Sequence, residues 1–415
     1  MKTIANGIIL KGLDLTPSRE NILIDDGEII EISKDVMEGE IIDAENKIVS
    51  PKFLNAHTHI GDTIIKDEGD GLSIGEIVRP PNGIKHLALE AASDETLRSA
   101  MKESMWQMHD LGISHFMDYR EGGLHGVKLL RKASEDIPIK PIILGRDGSF
   151  YGEDPNMHEV KIAVRKLLKH ADGIGLSGFG EIETEVAELI CRKCAEAGKI
   201  SSIHVAESEG VQFDSLEKCG KTEPQRAYEA GFNQIVHMAN PKNDDIENLA
   251  LSKSSLTICP RSNGALNVGI NPLKEILDKG EKPLIGTDNI MLNSPNMFRE
   301  LEFTLKIMKA YSRSYISPKD IFKLATTNAC HDDVNIPGLD KAYIEVGQKE
   351  ELFIANCKSN NPILSLINRT EIDDIVYISK KFFLSFSMYL RFSLLSGVFE
   401  KFLNRKFYLI FFKKL

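Results

Sequence analysis

The chain is predicted to be an α/β protein: a (β/α)8 TIM barrel with a small β domain formed by segments flanking the barrel on both sides. Three observations predict this. Between residues 53 and 335, eight short apolar runs alternate with helix-length amphipathic segments, the pattern of repeated βα units on a parallel sheet. Residues 1–52 read instead as short strands and tight turns, and strand-like patterns return over residues 336–379. At 415 residues, 42% of them apolar and 27% charged, the chain has enough material for one large core and a smaller one.

In the N-terminal segment the runs Gly7-Ile8-Ile9-Leu10 and Asn21-Ile22-Leu23-Ile24 are strand-like. Asp26-Gly27 then separates two apolar runs, a hairpin signal because such a turn needs positive φ. The first barrel run, Ile48 to Ala56, ends at His57 and His59. The next seven are Gly112 to Asp118, Pro141 to Arg146, Gly173 to Gly178, Ile200 to Val205, Gln234 to His237, Leu256 to Cys259, and Pro283 to Asp288.

Between the first two runs, Ser93 can cap a helix in which Leu97, Met101, Met105, Met108 and Leu111 recur at helical spacing, with Gly112 at its exit. The long segment Ile60 to Ala92 before that helix is read either as a shaper of substrate access or as a tolerated surface loop. After the barrel, Ala342 to Gly347, Glu351 to Ala355 and Ile372 to Ile378 are strand-like and can pair back with the N-terminal strands. Residues 380–415 form an atypical aromatic and basic tail in which only Glu400 is acidic. Three readings compete for the tail: a membrane-surface amphipath, a docked terminal helix, and a non-native sequence such as a frame-shift product.

Composition narrows the function classes. A formal charge of -10 argues against a nucleic-acid footprint, which needs a clustered basic surface. The N-terminus lacks the apolar stretch and cleavage site of a signal peptide, so a cytoplasmic location is expected. Six scattered cysteines suit reduced thiols, and the Cys191-x-x-Cys194 spacing falls inside a helical pattern without a second pair.

On a parallel barrel, residues that end different strands converge on one face. His57 and His59 end the first run, His204 the fifth, His237 the sixth and Asp288 the eighth, so they should surround one point. Imidazoles and a carboxylate form a shell suited to Zn²⁺ or Fe²⁺. Glu207, three residues after His204, can reach a water held there and act as a proton shuttle. Each residue alone has an ordinary alternative: His204 and His237 as core histidines, Asp288 as a turn or cap, and Glu207 as a loop residue. Their joint placement favours a shared site.

The chain resembles the amidohydrolase superfamily, particularly its cytosine deaminase and chlorohydrolase-like branch, which includes adenosine-type deaminases. The matching stretches are Pro51 to His59, His204-Val205-Ala206-Glu207, Val236-His237, Cys259-Pro260-Arg261-Ser262-Asn263, Gly286-Thr287-Asp288-Asn289, Ala325 to Ala329 and Val346-Gly347. The resemblance implies His57, His59, His204 and Asp288 as metal ligands. It further implies Glu207 as general acid/base, His237 as a group that orients the attacking water or stabilises its developing charge, and Asp288 as a second proton acceptor. Some members hold two metals through a lysine on the fourth strand; the run Gly173 to Gly178 has none, so one divalent ion, Zn²⁺ or Fe²⁺, is expected. The chain departs from the family at Glu350-Glu351-Leu352, where Ala-Asp-Leu is common, and in its tail.

The leading expectation is a metal-dependent hydrolase of carbon–nitrogen bonds other than peptide bonds, deaminating a small purine, pyrimidine or triazine heterocycle with release of ammonia. Arg120, Arg146, Glu181, Arg261 and Asn263 lie near run ends and are candidate substrate contacts. The alternatives are hydrolysis of a cyclic amide or a carbon–halogen bond at the same site, or a non-catalytic barrel scaffold. A small-molecule substrate and self-association into a homo-oligomer are the expected partnerships; membrane contact through the tail ranks below them.

Overall fold

The structure, a computed structural model, describes residues 1–379 apart from 80, 81, 243, 333, 335, 337, 338 and 340; the tail expectation for 380–415 lies outside the described residues. Its centre is a nine-stranded, wholly parallel sheet. In chain order the strands are β1 (Phe53–His59), β2 (Ile113–Arg120), β3 (Lys140–Gly145), β4 (Gly173–Leu176), β5 (Ile200–Val205), β6 (Gln234–His237), β7 (Ser255–Ile258), β8 (Leu284–Ile285) and β9 (Asp288–Asn289). Their spatial order is β8-β7-β6-β5-β4-β3-β2-β1-β9. The two strands at opposite ends of that order are separated in sequence only by Gly286 and Thr287, so one stretch of chain joins both ends of a curled sheet.

This juncture demands a glycine. A Cβ on Gly286 would lie 2.5 Å from the backbone nitrogen of His57, inside any real contact distance. Asn55 then locks the break from β1: its Nδ2 donates to Thr287 Oγ1 at 2.8 Å, and its Oδ1 accepts from the Thr287 backbone N–H at 2.9 Å.

Side-chain alternation divides the apolar residues between two faces. Leu54, Met117, Tyr119, Ile142, Leu144 and Val236 form a cluster on one face. Phe53, Phe116, Ile143, Ile174, Ile203 and Ile235 pack on the other against helices such as Asp94–Asp110 and Thr184–Glu196. Ser93 caps the first of these helices, accepting from the Thr96 N–H, and Gly112 follows it at φ +77°.

Two antiparallel-rich sheets lie beside the parallel one in sequence. Residues 2–5, 21–25, 28–33 and 40–43 make a four-stranded sheet; the pair 21–25 and 28–33 turns at Asp26-Gly27, both at positive φ. Residues 8–11, 16–18, 47–51, 352–356 and 375–378 make a five-stranded sheet, in which Leu352–Asn356 pairs antiparallel with Lys47–Pro51. The strand expected over Ala342 to Gly347 does not form. Within it Ile344 makes an isolated bridge to Lys11, and Gly347 donates to the Ile29 carbonyl, so the segment touches two strand edges at single points and runs along neither. An unanticipated helix, Pro362–Arg369, occupies the connection to the last strand, with Asn361 capping it and Pro362 in its first turn. Among the described residues no helix is long and apolar enough to cross a membrane.

Candidate metal centre

The histidine pair is aimed by a backbone irregularity. Asn55 pairs with Phe116 and Thr58 with Asp118, so Ala56 and His57 together oppose the single residue Met117. This extra residue is a β-bulge, which reverses the alternation and re-aims the side chains beyond it. Thus Leu54 lies in the inner cluster, and His57, an odd number of residues later, packs its ring 4.3 Å from Tyr119 of that same cluster.

His57, His59, His204, His237 and Asp288 come together at the C-terminal ends of β1, β5 and β6 and at the start of β9. The His57 ring centroid lies 5.0 Å from that of His59, 4.9 Å from His204 and 5.7 Å from His237. Ligand atoms of His57, His59 and His204 all lie within 4.8 Å of one another, as do those of His57, His237 and Asp288. His57 is common to both triads, so His237 is geometrically eligible as a ligand as well as for the water-orienting role expected of it. Asp288 Oδ1 stands 3.1 Å from His57 Nε2 and 3.5 Å from His59 Nε2.

Outer partners fix three of the rings. His59 Nδ1 faces Glu121 Oε1 at 3.2 Å, His204 Nδ1 faces the Leu176 carbonyl at 2.7 Å, and His237 Nδ1 faces Asn263 Oδ1 at 3.1 Å. An oxygen acceptor at each Nδ1 places the proton there and leaves the Nε2 lone pair for the centre. Ser262 donates to Asp288 Oδ2 at 2.6 Å, leaving Oδ1 inward. Backbone strain serves the same end: Ala206, His237, Met238 and Asp288 are non-glycine residues at φ between +49° and +76°, a cost of about 1–3 kcal/mol each.

The donor set fits a cation. Both ring nitrogens of His57, Nε2 of His237 and Oδ1 of Asp288 are buried with no hydrogen-bond partner among the described residues. Burial pushes the His57 imidazole down to about 4, and holds His59 and His204 well below the ordinary histidine value, so all three are neutral at pH 7. Burial acts to raise Asp288, but the neighbouring His57, His237 and His59 outweigh it and hold the carboxyl well below its usual range. Neutral imidazoles and an anionic carboxylate are the states in which these groups bind a divalent metal.

Glu207 follows β5, its Oε1 3.6 Å from His237 Nε2. Burial raises its carboxyl above the ordinary glutamate value. Its loop is pinned by Asn240, which donates to the Glu207 carbonyl at 2.9 Å, and by Glu223, which accepts the backbone N–H groups of Ala206 and Phe179.

The five candidate substrate contacts separate. A cavity of 350 Å³ reaches His204 and Glu207, and one of 710 Å³ reaches Arg146 and Glu121; both are lined by Arg79 and Glu181. Arg146 and Glu181 therefore face cavities, although Arg146 also donates to the Gly175 carbonyl at 3.0 Å. Asn263 is engaged with His237. Arg120 lies over Gly61, where a Cβ would come 2.2 Å from its guanidinium, and pairs with Glu121 at 2.8 Å. Arg261 donates to the Ser294 carbonyl at 3.2 Å and pairs with Glu300 at 3.7 Å. Ion pairs within the fold thus engage both of these arginines. A further cavity of 310 Å³, bounded by Arg131, Pro141 and Asp172, contains none of the site residues.

Sequence reasoning missed Glu121, Ser262 and Lys85. Glu121 immediately follows β2, the same run-end position that singled out Arg120. Ser262 lies within the quoted Cys259 to Asn263 stretch. Lys85 carries no comparable signal, since lysine is ordinarily a surface residue.

The amidohydrolase family model matches residues 48–382. The chain is 44% identical over 379 residues to a putative aminohydrolase of Methanothermobacter thermautotrophicus, covering 91% of this chain and 97% of that protein. It is 25% identical over 343 residues to a 5-methylthioadenosine/S-adenosylhomocysteine deaminase of Thermococcus sibiricus, covering 78% of this chain and 79% of that one. Among solved structures, it is similar to the zinc complex of an atrazine chlorohydrolase from Arthrobacter aurescens TC1. The TM-score is 0.80 at 14% identity, covering 95% of this chain and 99% of that one; at this identity the likeness is one of fold.

Proposed function

The chain belongs to the amidohydrolase family and is a hydrolase of carbon–nitrogen bonds other than peptide bonds; from the site just described we propose that it deaminates a small nitrogen heterocycle of the purine, pyrimidine or triazine type. The observation that carries this reading is the set of inward-facing, partnerless donor atoms on His57, His237 and Asp288 beside the buried carboxyl of Glu207. We read the curled sheet as a closed (β/α)8 barrel with this site at its C-terminal mouth.

In this reading His57, His59, His204 and Asp288 hold one divalent ion, and Zn²⁺ is the preferred metal. Such an ion supplies Lewis acidity, lowering the pKa of water to about 7 and polarising the group under attack. The protein's own residues do the rest. The Asp288 carboxylate, oriented by the Ser262 hydroxyl on Oδ2, accepts a proton from the attacking water. His237, its Nδ1 proton engaged by Asn263, presents Nε2 to that water and orients it. Glu207, its carboxyl raised above the ordinary glutamate value by burial, delivers a proton to the ring nitrogen; the proton taken up by Asp288 passes to the amine, which leaves as ammonia while the hydroxyl proton of the forming carbonyl returns to Glu207. Residues of the Ile60 to Ala92 segment, including Ser73, Ile74, Val78 and Arg79, wall the smaller cavity and limit the water that enters.

The same site would serve carbon–halogen hydrolysis, the reading favoured by the likeness to the chlorohydrolase. Ammonia release from a panel of aminopurines, aminopyrimidines and aminotriazines by metal-replete protein distinguishes the two. Deamination predicts stoichiometric ammonia, whereas product formed without ammonia supports the alternative.

A further inference from the structure

We propose that Lys85 is a positioning residue for the metal centre, acting on both sides of the sheet's closure through Glu121 and Asp62. It rests on the metal-binding reading above. Lys85 lies in the helix Ile84–Ala91, within the segment that walls the cavity, yet it is only 2% exposed. A buried ammonium is tolerated only when its charge is compensated at close range. Its Nζ lies 2.8 Å from Glu121 Oε1 and 3.2 Å from Asp62 Oδ2.

Those two oxygens are the ones that hold the site. Glu121 Oε1 is the acceptor at 3.2 Å for His59 Nδ1. Asp62 Oδ2 accepts from Asn289 Nδ2 at 2.7 Å, and Asn289 directly follows Asp288 and pairs in register with His59. One ammonium therefore ties the support of His59 on β1 to the support of Asp288 on β9. Without it, two buried carboxylates lose a shared cation, and the rearrangement that relieves them falls on the acceptors of His59 and Asn289. The segment that closes the cavity thereby also sets the geometry of two proposed ligands.

The test is Zn²⁺ affinity measured by competition with a chromophoric chelator for native protein, Lys85→Met, Glu121→Gln and the double variant. Metal-free melting curves confirm that each is folded. Outer-shell losses typically cost about 10–100-fold in metal affinity. We expect a loss of that size for each single variant and a double variant clearly less impaired than the product of the two, because both act through one carboxylate. An affinity for Lys85→Met within twofold of native, or strictly multiplicative losses, overturns the proposal while leaving the site reading intact. If Lys85→Met does not fold, Glu121→Gln decides: an unchanged affinity overturns the proposal. Native protein that binds no Zn²⁺ overturns the site reading on which it rests.

Discussion

The two halves of the candidate centre are supported in different ways. On the β1 and β9 side, His59 leans on Glu121, and Glu121 on Lys85 and Arg120, so ionised groups stand behind the ring. On the β5 and β6 side, the acceptors are neutral, a main-chain carbonyl for His204 and an asparagine amide for His237, although the Arg146 guanidinium also lies 3.4 Å from His204 Nδ1. A carboxylate behind an imidazole raises its donor strength, whereas a main-chain acceptor fixes its direction without adding charge. The ionic half would supply ligand strength, and it depends on a separate helix to complete it. The neutral half takes its acceptors from the sheet and its loops, and burial raises the Glu207 carboxyl beside it.

This contrast can be broken at several points. The largest effect is expected at Glu207→Gln, which removes the only carboxylate proposed for proton transfer in the neutral half. The kcat should fall by about 10²–10⁴-fold with bound metal unchanged, measured by ammonia release and elemental analysis together. Turnover near the native rate would remove Glu207 from the mechanism. In the ionic half the conservative change Glu121→Gln should spare the fold but weaken Zn²⁺ by about 10–100-fold.

The matching change in the neutral half, Asn263→Ala, removes two uncharged hydrogen bonds, of which the one to His237 is worth about 0.5–1.5 kcal/mol. Its effect on Zn²⁺ affinity should therefore be tenfold or less. Equal losses for the two would erase the distinction between the halves.

The smallest effect concerns acid stability of the metal-free protein. His57 falls from 6.5 to about 4 through burial, so between these values the unfolded chain binds the extra proton and the histidine's contribution to stability rises with pH. Carboxyls raised by burial, such as Glu223 at about 8, act with the opposite sign. The melting difference between native and His57→Gln isolates the histidine: native should gain on the variant as pH rises from 4 to 6.5. A difference flat across that range would show that His57 is not held neutral.

Much of this arrangement is legible in the sequence, where strand ends are marked by local pattern. His57, His59, His204, His237 and Asp288 end apolar runs, and parallel connectivity brings such ends together whatever their separation in sequence. The hairpin at Asp26-Gly27 and the cap at Ser93 are likewise local. What eluded sequence reasoning depends on partners. The bulge at Ala56 and His57 exists only relative to β2. Lys85 is distinguished by two carboxylates that the fold brings to it, and Arg120 by its contact with Gly61. The alternation over Ala342 to Gly347 is real, but a strand needs one edge running along its length, and this segment touches two at single points. The helix Pro362–Arg369 had its start signal in Asn361-Pro362, overlooked because strands were expected on either side.

The central claim is that one divalent ion is shared by the two halves. A crystal structure of Zn²⁺-loaded protein with anomalous data at the zinc edge tests it most directly. One anomalous peak is expected, bounded by Nε2 of His57, His59 and His204 and by Oδ1 of Asp288, with Lys85 still bridging Asp62 and Glu121. A peak elsewhere, two peaks, or none at full occupancy of added zinc would contradict it.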